Sequence, residues 1–418
     1  MPGNSPIAVR LRSEVARFGG TGPFNGESDR ALSAREAAAM GRSVLSAFGI
    51  TRLARVTGLD RVGIPVWTAA RPNALSLSVS QGKGMDDDAA VASAIFEAVE
   101  LAIAERPHVA AFDATRAELF DAGWKVMDCA RFLRRGESES ESNERASWVE
   151  GLDLMSGDAV FLPEDVVRMA DAPGCRYWQS SDGLGTGSNL LEAAIHGVCE
   201  LIERDAMALW SLRRDDEIGR REVAIADVDS REIRVAEEKI KAAGLCVRLF
   251  DVTSDTLVPA FLVVIVPADR STASLSYLDL ASGSGAHPVR TRAALRAITE
   301  AVQTRLTTIT GSRDDVDPGE YRRMLPHDLR VYAEADGHRT GAAPGVSYTG
   351  ERSLPGYLDW LVERLRAVGI RMLALVPFEV PDLPFAVARV VAPDLEQDPR
   401  SGNRRPGRRL VAAMLGGR

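Results

Sequence analysis

One helical pattern occurs three times in this chain, and it constrains the fold more than any other feature. It reads SAIFEAVELA at 93–102, AAIHGVCELIERDA at 193–206 and AALRAITEAVQTRL at 293–306, with Glu100, Glu200 and Glu300 one hundred residues apart. Each segment is Ala-rich and apolar over most of its circumference, so each predicts a buried helix. Yet each carries acids or amides three residues apart, which puts their oxygens on one face. Carboxylates on so apolar a helix are costly unless a cation meets them. Three such helices predict a nest for metal ions, and Mg2+ held by a few carboxylates usually accompanies nucleotide phosphates.

Helical geometry sorts the candidates. Ser93, Glu97 and Glu100 share one face of the first helix. Glu192, His196, Glu200 and Glu203 share one face of the second, and Arg204 follows them within reach of a phosphate or a neighbouring carboxylate. Glu300 and Gln303 share a face with Arg296 on the third, whereas Arg305 is turned away. A glycine-rich stretch precedes each helix: Gly82-Lys83-Gly84, Gly183 to Gly187, and Gly283-Ser284-Gly285. Read as turns, these expose backbone N–H groups suited to phosphate. The competing reading is a set of buried salt-bridged helices, which needs matching Lys and Arg and adds little stability. His196 is expected to be packed, and His287, in the third glycine stretch, is the better-placed histidine.

Composition narrows the function classes. The net charge of −8 advertises no basic face for nucleic acid. The four cysteines Cys129, Cys175, Cys199 and Cys246 have no CxxC spacing, which argues against a zinc site or a disulfide framework. Cys199 reads as a small packing residue. No apolar run reaches membrane-spanning length, and the first residues lack a signal-peptide pattern, so a cytoplasmic protein is expected.

The remaining patterns predict a mixed α/β (α+β) fold. A helix is expected at 31–48, a strand at 75–80 (LSLSVS) and a hairpin at 148–163 turning at Ser156-Gly157-Asp158. The charged stretch 134–147 (RRGESESESNERAS) predicts a solvated or disordered loop. Further on, a helix at 231–243, strands at 246–252 and 261–268, a helix at 358–369 and a strand at 385–393 are expected. The chain then divides into a helical lead-in at 1–57, a main domain at 58–395 and a polar, Arg-rich tail at 396–418.

The segments GKGMDDDAAVASAIFEAVE, SSDGLGTGSNLLEAAIHGVCELIERDA and GSGAHPVRTRAALRAITEAVQTRL, the last leading to TGSRDD, resemble the YcaO family. So do GLDRVGIPVW near 58–67 and WVEGLDL at 148–154. The resemblance covers roughly residues 58–395. It implies a YcaO-type fold with three acidic helices around a nucleotide and Mg2+ site, and an ATP- and Mg2+-dependent enzyme that activates a peptide backbone amide. An amide carbonyl is a weak electrophile and its oxygen a poor leaving group, and phosphorylating that oxygen cures both faults. By motif position, the resemblance makes Glu97, Glu100, Glu200 and Glu203 Mg2+ ligands, with Glu192 close by. Lys83, Ser93, Ser188, Arg204 and Gln303 would contact the nucleotide or its metal, with Arg305 and Arg313 as phosphate contacts or supports. No catalytic residue is assigned. Leu101 stands where the family commonly has Arg after the second Glu, and Asp182-Gly183 and Gly187-Ser188 stand where it has Asn-Gly and Gly-Asn.

The absence of a proline-rich end favours the stand-alone members that make thioamides in a ribosomally made precursor peptide with a TfuA-like partner. Azoline-forming and amidine-forming activities, an ATP-dependent ligase, and a non-catalytic peptide-binding scaffold are the alternatives. A homodimer is compatible with the resemblance.

Overall fold

The three glycine-rich stretches are strands rather than turns, and that difference determines how the acidic helices are held. The computed structural model describes residues 5–18, 29–138, 143–169, 175–269, 276–314, 318–322, 325, 327–334, 345–397 and 404–416. In chain order the strands are β1 Arg52–Arg55, β2 Val66–Ala70, β3 Val79–Lys83, β4 Ala111–Thr115, β5 Arg145–Asp153, β6 Ala159–Pro163 and β7 Leu184–Gly187. They continue as β8 Glu222–Val223, β9 Leu245–Asp251, β10 Ala260–Pro267, β11 Ala281–Ala286, β12 Ala374–Phe378 and β13 Ala386–Val391. The helices are α1 Pro6–Phe18, α2 Ala34–Arg42, α3 Asp87–Glu105, α4 Arg116–Asp121, α5 Glu164–Val167 and α6 Leu190–Trp210. They continue as α7 Asp215–Ile218, α8 Arg231–Ala242, α9 Arg290–Thr310, α10 His327–Glu334, α11 Leu354–Ala367 and α12 Arg408–Met414.

Packing divides the chain into two compact units, one of residues 1–33, 100–209 and 349–418 and the other of residues 34–99 and 210–348. In the first unit, β4-β5-β12-β13-β7 form an antiparallel sheet, with β6 also paired to β5. Val149, Leu162 and Val376 sit in its core. In the second unit, β1-β2-β3 form an antiparallel meander and β11-β10-β9-β8 a second antiparallel sheet. Its core joins Ile64 and Val66 to Phe261 and Ile265 of β10 and Ile298 and Val302 of α9.

Each acidic helix lies directly on the glycine strand that precedes it. A Cβ added at Gly82 of β3 would sit 2.0 Å from the Ala94 nitrogen of α3. One at Gly185 of β7 would sit 2.3 Å from the Ala193 carbonyl of α6, and one at Gly283 of β11 would sit 2.2 Å from the Ala301 nitrogen of α9. Only glycine permits that approach. The alanines serve the same contact from the helix side: Ala94, Ala193, Ala297 and Ala301 are completely buried. Side chains also set the helix starts. Asp86 Oδ1 accepts from the Ala89 N–H at 2.7 Å, and Asn189 Oδ1 accepts from the Glu192 N–H at 3.0 Å. Gly311, left-handed at φ 56°, ends α9.

Most periodic segments appear where expected. The hairpin at 148–163 is β5 and β6, with Gly157 at φ 78° in its turn. The helix expected at 31–48 is the shorter α2, and the strand expected at 75–80 is displaced to Val79–Lys83. The alternation of LSLSVS was misleading because the strand needs Gly82 beneath α3. Helices α1 and α12 are not marked by any pattern read from the sequence. Part of the charged stretch, residues 139–142, lies outside the described residues, and its last residues begin β5.

The close packing gives a direct test. Gly283→Ala should destabilise the protein by at least about 2 kcal/mol, because its Cβ meets helix backbone that cannot move aside. Gly58→Ala, with nothing within 4 Å, is the control and should stay close to wild type. The urea-unfolding midpoints of the two variants check this.

Candidate functional site

Beyond admitting the helices, the glycine strands hold the helical acids through their backbone N–H groups. The Gln81 N–H donates to Glu97 Oε2 at 3.2 Å, the Gly183 N–H to Glu200 Oε2 at 3.1 Å, and the Ser284 N–H to Glu300 Oε1 at 3.3 Å. This fixes the internal register. Glu97, Glu200 and Glu300 are structural equivalents, and three residues on stand Glu100, Glu203 and Gln303. The even spacing of Glu100, Glu200 and Glu300 in the sequence is therefore three residues out in the first copy.

The first unit contains the most acidic cluster. Glu203 is 4% exposed and Glu200 is half-buried, both on α6. Arg204 reaches Glu200 at 3.4 Å, Asp182 at 3.5 Å and Glu203 at 3.8 Å. One guanidinium therefore serves three carboxylates. Burial pushes the Glu200 carboxyl up to about 8, against the pull of Arg204, and Asp182, Glu203 and Glu100 push it the same way. Arg389 of β13 lies beside this cluster, 5% exposed, and donates to the carbonyls of Val167, Ser180 and Asp182. Burial lowers its guanidinium to about 10, while Asp182 and Glu200 resist that shift.

Glu192 has a different setting. It is 4% exposed and accepts from the Ala31 N–H and from both the N–H and the hydroxyl of Ser188, with Asn189 capping its own N–H. It precedes Glu200 by eight residues, about 12 Å along the helix axis at ~1.5 Å per residue, too far to share one ion with it. Ser188 is the partner of Glu192 and accepts from Asn189.

The second unit contains a more balanced cluster. Lys83 Nζ lies 2.6 Å from Glu300. Gln303 donates to the Gln81 carbonyl at 2.8 Å, and Thr307, one turn on, donates to the Gln81 side-chain oxygen. Glu300, Gln303 and Thr307 thus form one stripe of α9 facing the 81 and 83 positions of β3. Burial raises the Glu97 carboxyl to about 7, countered by Arg313, Lys83 and the Gln81 N–H. Ser93 lies one turn before Glu97, half-buried. Arg305 is elsewhere engaged, with Nε 2.7 Å from Asp60 in a buried pair that ties α9 to the turn after β1. His287 Nδ1 accepts from the Val289 N–H at the start of α9.

The donor set suits a hard cation bound together with phosphate. Among the described residues no three acids, histidines or cysteines already close around a single point. Mg2+ does not require such a cage, since it keeps waters and phosphate oxygens beside one or two carboxylates. Glu200 and Glu203, loosely paired with Arg204 while Asp182 is held between Arg204 and Arg404, fit that need. Sequence reasoning missed Arg389, the ionic role of Asp182, and Arg404, whose Nη2 lies 3.0 Å from Asp182 Oδ2. Arg389 could have been noticed as the one charge inside the apolar strand FAVARVV.

A pH prediction follows from the two raised carboxyls. Both groups bind a proton more tightly in the folded chain than in the unfolded chain, where a glutamate titrates near 4.5. Their contribution to stability is therefore present below that value and is lost as pH rises toward 8. In the absence of divalent cations, Glu200→Gln should flatten the fall in melting temperature between pH 5 and pH 8, measured by calorimetry. An unchanged slope would show that Glu200 is not the buried group described.

Among the described residues no helix is long and apolar enough to cross a membrane. The family model for the YcaO cyclodehydratase, ATP- and Mg2+-binding, matches residues 81–396. A protein of the tfuA 3′ region of Rhizobium leguminosarum bv. trifolii is 39% identical over 401 residues, covering 93% of each chain. A heterocyclase solved with substrate and cofactor has a TM-score of 0.74 at 20% identity, with 95% of this chain covering 56% of that one. YcaO from Methanopyrus kandleri, solved with AMPPCP and Mg2+, has a TM-score of 0.66 at 23% identity and is covered over 95% of its length by 90% of this chain. The mixed α/β fold, the acid-bearing helices and the family match agree: this chain belongs to the YcaO family of ATP- and Mg2+-binding proteins.

Proposed function

We propose that this protein uses Mg·ATP to phosphorylate a peptide backbone amide oxygen, and that the product is a thioamide in a ribosomally made peptide. The observation that carries the first part is the Glu200 cluster, in which Glu200 and Glu203 are shielded from water on one helix face and have only the loosely placed Arg204 as an ion-pair partner, with burial raising Glu200 to about 8. Glu100, Glu200 and Glu203 are Mg2+ ligands of the first unit and Glu97 one of the second, while Glu192, its oxygens taken by Ala31 and Ser188, supports the start of α6. Lys83, Ser93, Ser188, Arg204 and Gln303 contact the nucleotide or its metal, and Arg313 supports phosphate. Arg305 drops out of this set because Asp60 occupies it. Bound Mg2+ would neutralise phosphate charge as it moves to the leaving oxygen. The chain's own residues position the phosphates.

The reaction balances simply. The amide oxygen takes the γ-phosphoryl group and ADP leaves. Sulfide adds to the amide carbon, and the oxygen departs as phosphate. Support for sulfide as nucleophile, and for a TfuA-like partner, comes from the relative in the tfuA 3′ region. The family's description as a cyclodehydratase favours a second reading, attack by a Cys, Ser or Thr side chain of the peptide to give an azoline.

Incubating the protein with Mg·ATP, sulfide, a candidate precursor peptide and a TfuA-like partner separates the two by mass. The expected product carries the gain of oxygen-to-sulfur exchange with one ADP released per modification. Loss of water instead selects the azoline. Glu200→Gln and Glu203→Gln should each reduce turnover by at least about 100-fold, as losing a charge-stabilising group does in other enzymes. Unchanged nucleotide affinity and turnover in both variants would refute the carboxylate assignment.

A further inference from the structure

The C-terminal segment is fastened beside the Glu200 cluster by two buried acids. Glu396, 1% exposed, accepts from Arg131 and from the backbone N–H groups of Gly407 and Leu410. Asp205, completely buried on α6 two residues after Glu203, takes two nitrogens of Arg409, each at 2.8 Å. The segment is thus pinned to the same helix that carries the site acids, and it presents Arg404. The Arg404 Nη2 lies 3.0 Å from Asp182 Oδ2, and its guanidinium sits 5.3 Å from the centre of the Trp178 ring. Its Nε and Nη1 are buried with no hydrogen-bond acceptor among the described residues. A guanidinium can offer five donors, so one that leaves two nitrogens unpaired is placed for its charge rather than for its hydrogen bonds.

That charge falls where competition for cations is sharpest. The other oxygen of Asp182 lies 3.5 Å from Arg204 Nε, while the two Nη atoms of Arg204 lie 3.4 Å from Glu200 and 3.8 Å from Glu203. None of these is a close bidentate pair. Arg389 adds its charge from nearby but makes no ion pair with Asp182, because its Nη atoms donate to backbone carbonyls. Without Arg404, Asp182 would be a buried carboxylate with Arg204 as its nearest cation. A bidentate Arg–carboxylate pair would then outcompete the present three-way sharing.

We infer that Arg404 is a positioning residue of the nucleotide site. By neutralising Asp182, it keeps Arg204 spread over Glu200 and Glu203 instead of drawn onto Asp182. The inference rests on the Mg·ATP reading above. It gives the C-terminal segment a role at the site, since a charge supplied from 404 sets the reach of an arginine at 204 through an acid at 182.

Calorimetric binding of Mg·AMPPCP to the full chain tests it, with wild type, Arg404→Gln, Arg404→Lys, Asp182→Asn and the Arg404→Gln/Asp182→Asn pair. Arg404→Gln should weaken binding about tenfold, a coupling typical of groups in one ionic network. Arg404→Lys, which keeps the charge, should recover most of that loss. The paired variant should return to within about threefold of Asp182→Asn alone, since no orphaned carboxylate then remains to capture Arg204. Circular-dichroism melts report folding, and the lysine and paired variants keep the test readable if Arg404→Gln melts early. Losses that simply add in the paired variant, or wild-type affinity in Arg404→Gln, overturn the inference. A wild-type chain that binds no Mg·AMPPCP overturns the functional reading itself, and this inference with it.

Discussion

The structure depends on one contact made three times: a glycine strand against the backbone of an alanine-rich helix. Side chains larger than these would push helix and strand apart, and the backbone N–H groups of Gln81, Gly183 and Ser284 would no longer meet Glu97, Glu200 and Glu300. Those hydrogen bonds do more than satisfy donors. They anchor one oxygen of each acid to the backbone, where rotamer freedom cannot move it, and leave the other to a cation or a neighbour. Close packing and acid placement are therefore one constraint. The small residues that looked like turn chemistry are what allow carboxylates to be held at a defined point.

The three copies have settled their charge differently. In the third, Lys83 lies against Glu300 and the second acid has become Gln303, an uncharged residue that bonds the Gln81 carbonyl. In the second, Glu200 and Glu203 share Arg204 with Asp182. In the first, Glu97 has Arg313 and Lys83 acting on it from a distance. Burial is the largest cause of the raised carboxyls at both Glu97 and Glu200, with Arg313 and Lys83 opposing it at the first and Arg204 at the second.

Much of this was legible in the sequence because periodicity reports which face is buried. The acidic helices, the hairpin β5–β6 and the apolar strands β10 and β13 all follow from it. Glycine carries no such signal. A strand that runs through Gly82 toward Gly84 looks like a turn until the helix above it is seen. The register of the first copy failed for a related reason, since Glu97 and Glu100 are chemically identical and only the Gln81 hydrogen bond distinguishes them. Ion pairs were the least legible. Arg305 and Asp60 are separated by 245 residues, and Arg131 and Glu396 by 265, so nothing local marks either pair. Helices α1 and α12 are rich in arginine, and their apolar stripes are too narrow to stand out without their partners.

The same electrostatics sets the cost at which the site exists. A carboxyl raised to about 8 must take up a proton on folding once pH exceeds the unfolded value of 4.5, so the stability Glu200 contributes in acid is progressively lost as pH rises toward neutrality. Elsewhere in the first unit three buried acids have close cationic partners: Asp205 with Arg409, Glu396 with Arg131, and Asp153 with Lys125. Breaking such a pair leaves an uncompensated buried charge, which is among the more destabilising changes a fold can suffer. Each of these acids has a close cation of its own, whereas Glu200 and Glu203 share the more distant Arg204, which also reaches the Arg404-paired Asp182. A ligand that brings positive charge to that point binds the folded chain and not the unfolded one, so occupancy and stability must rise together.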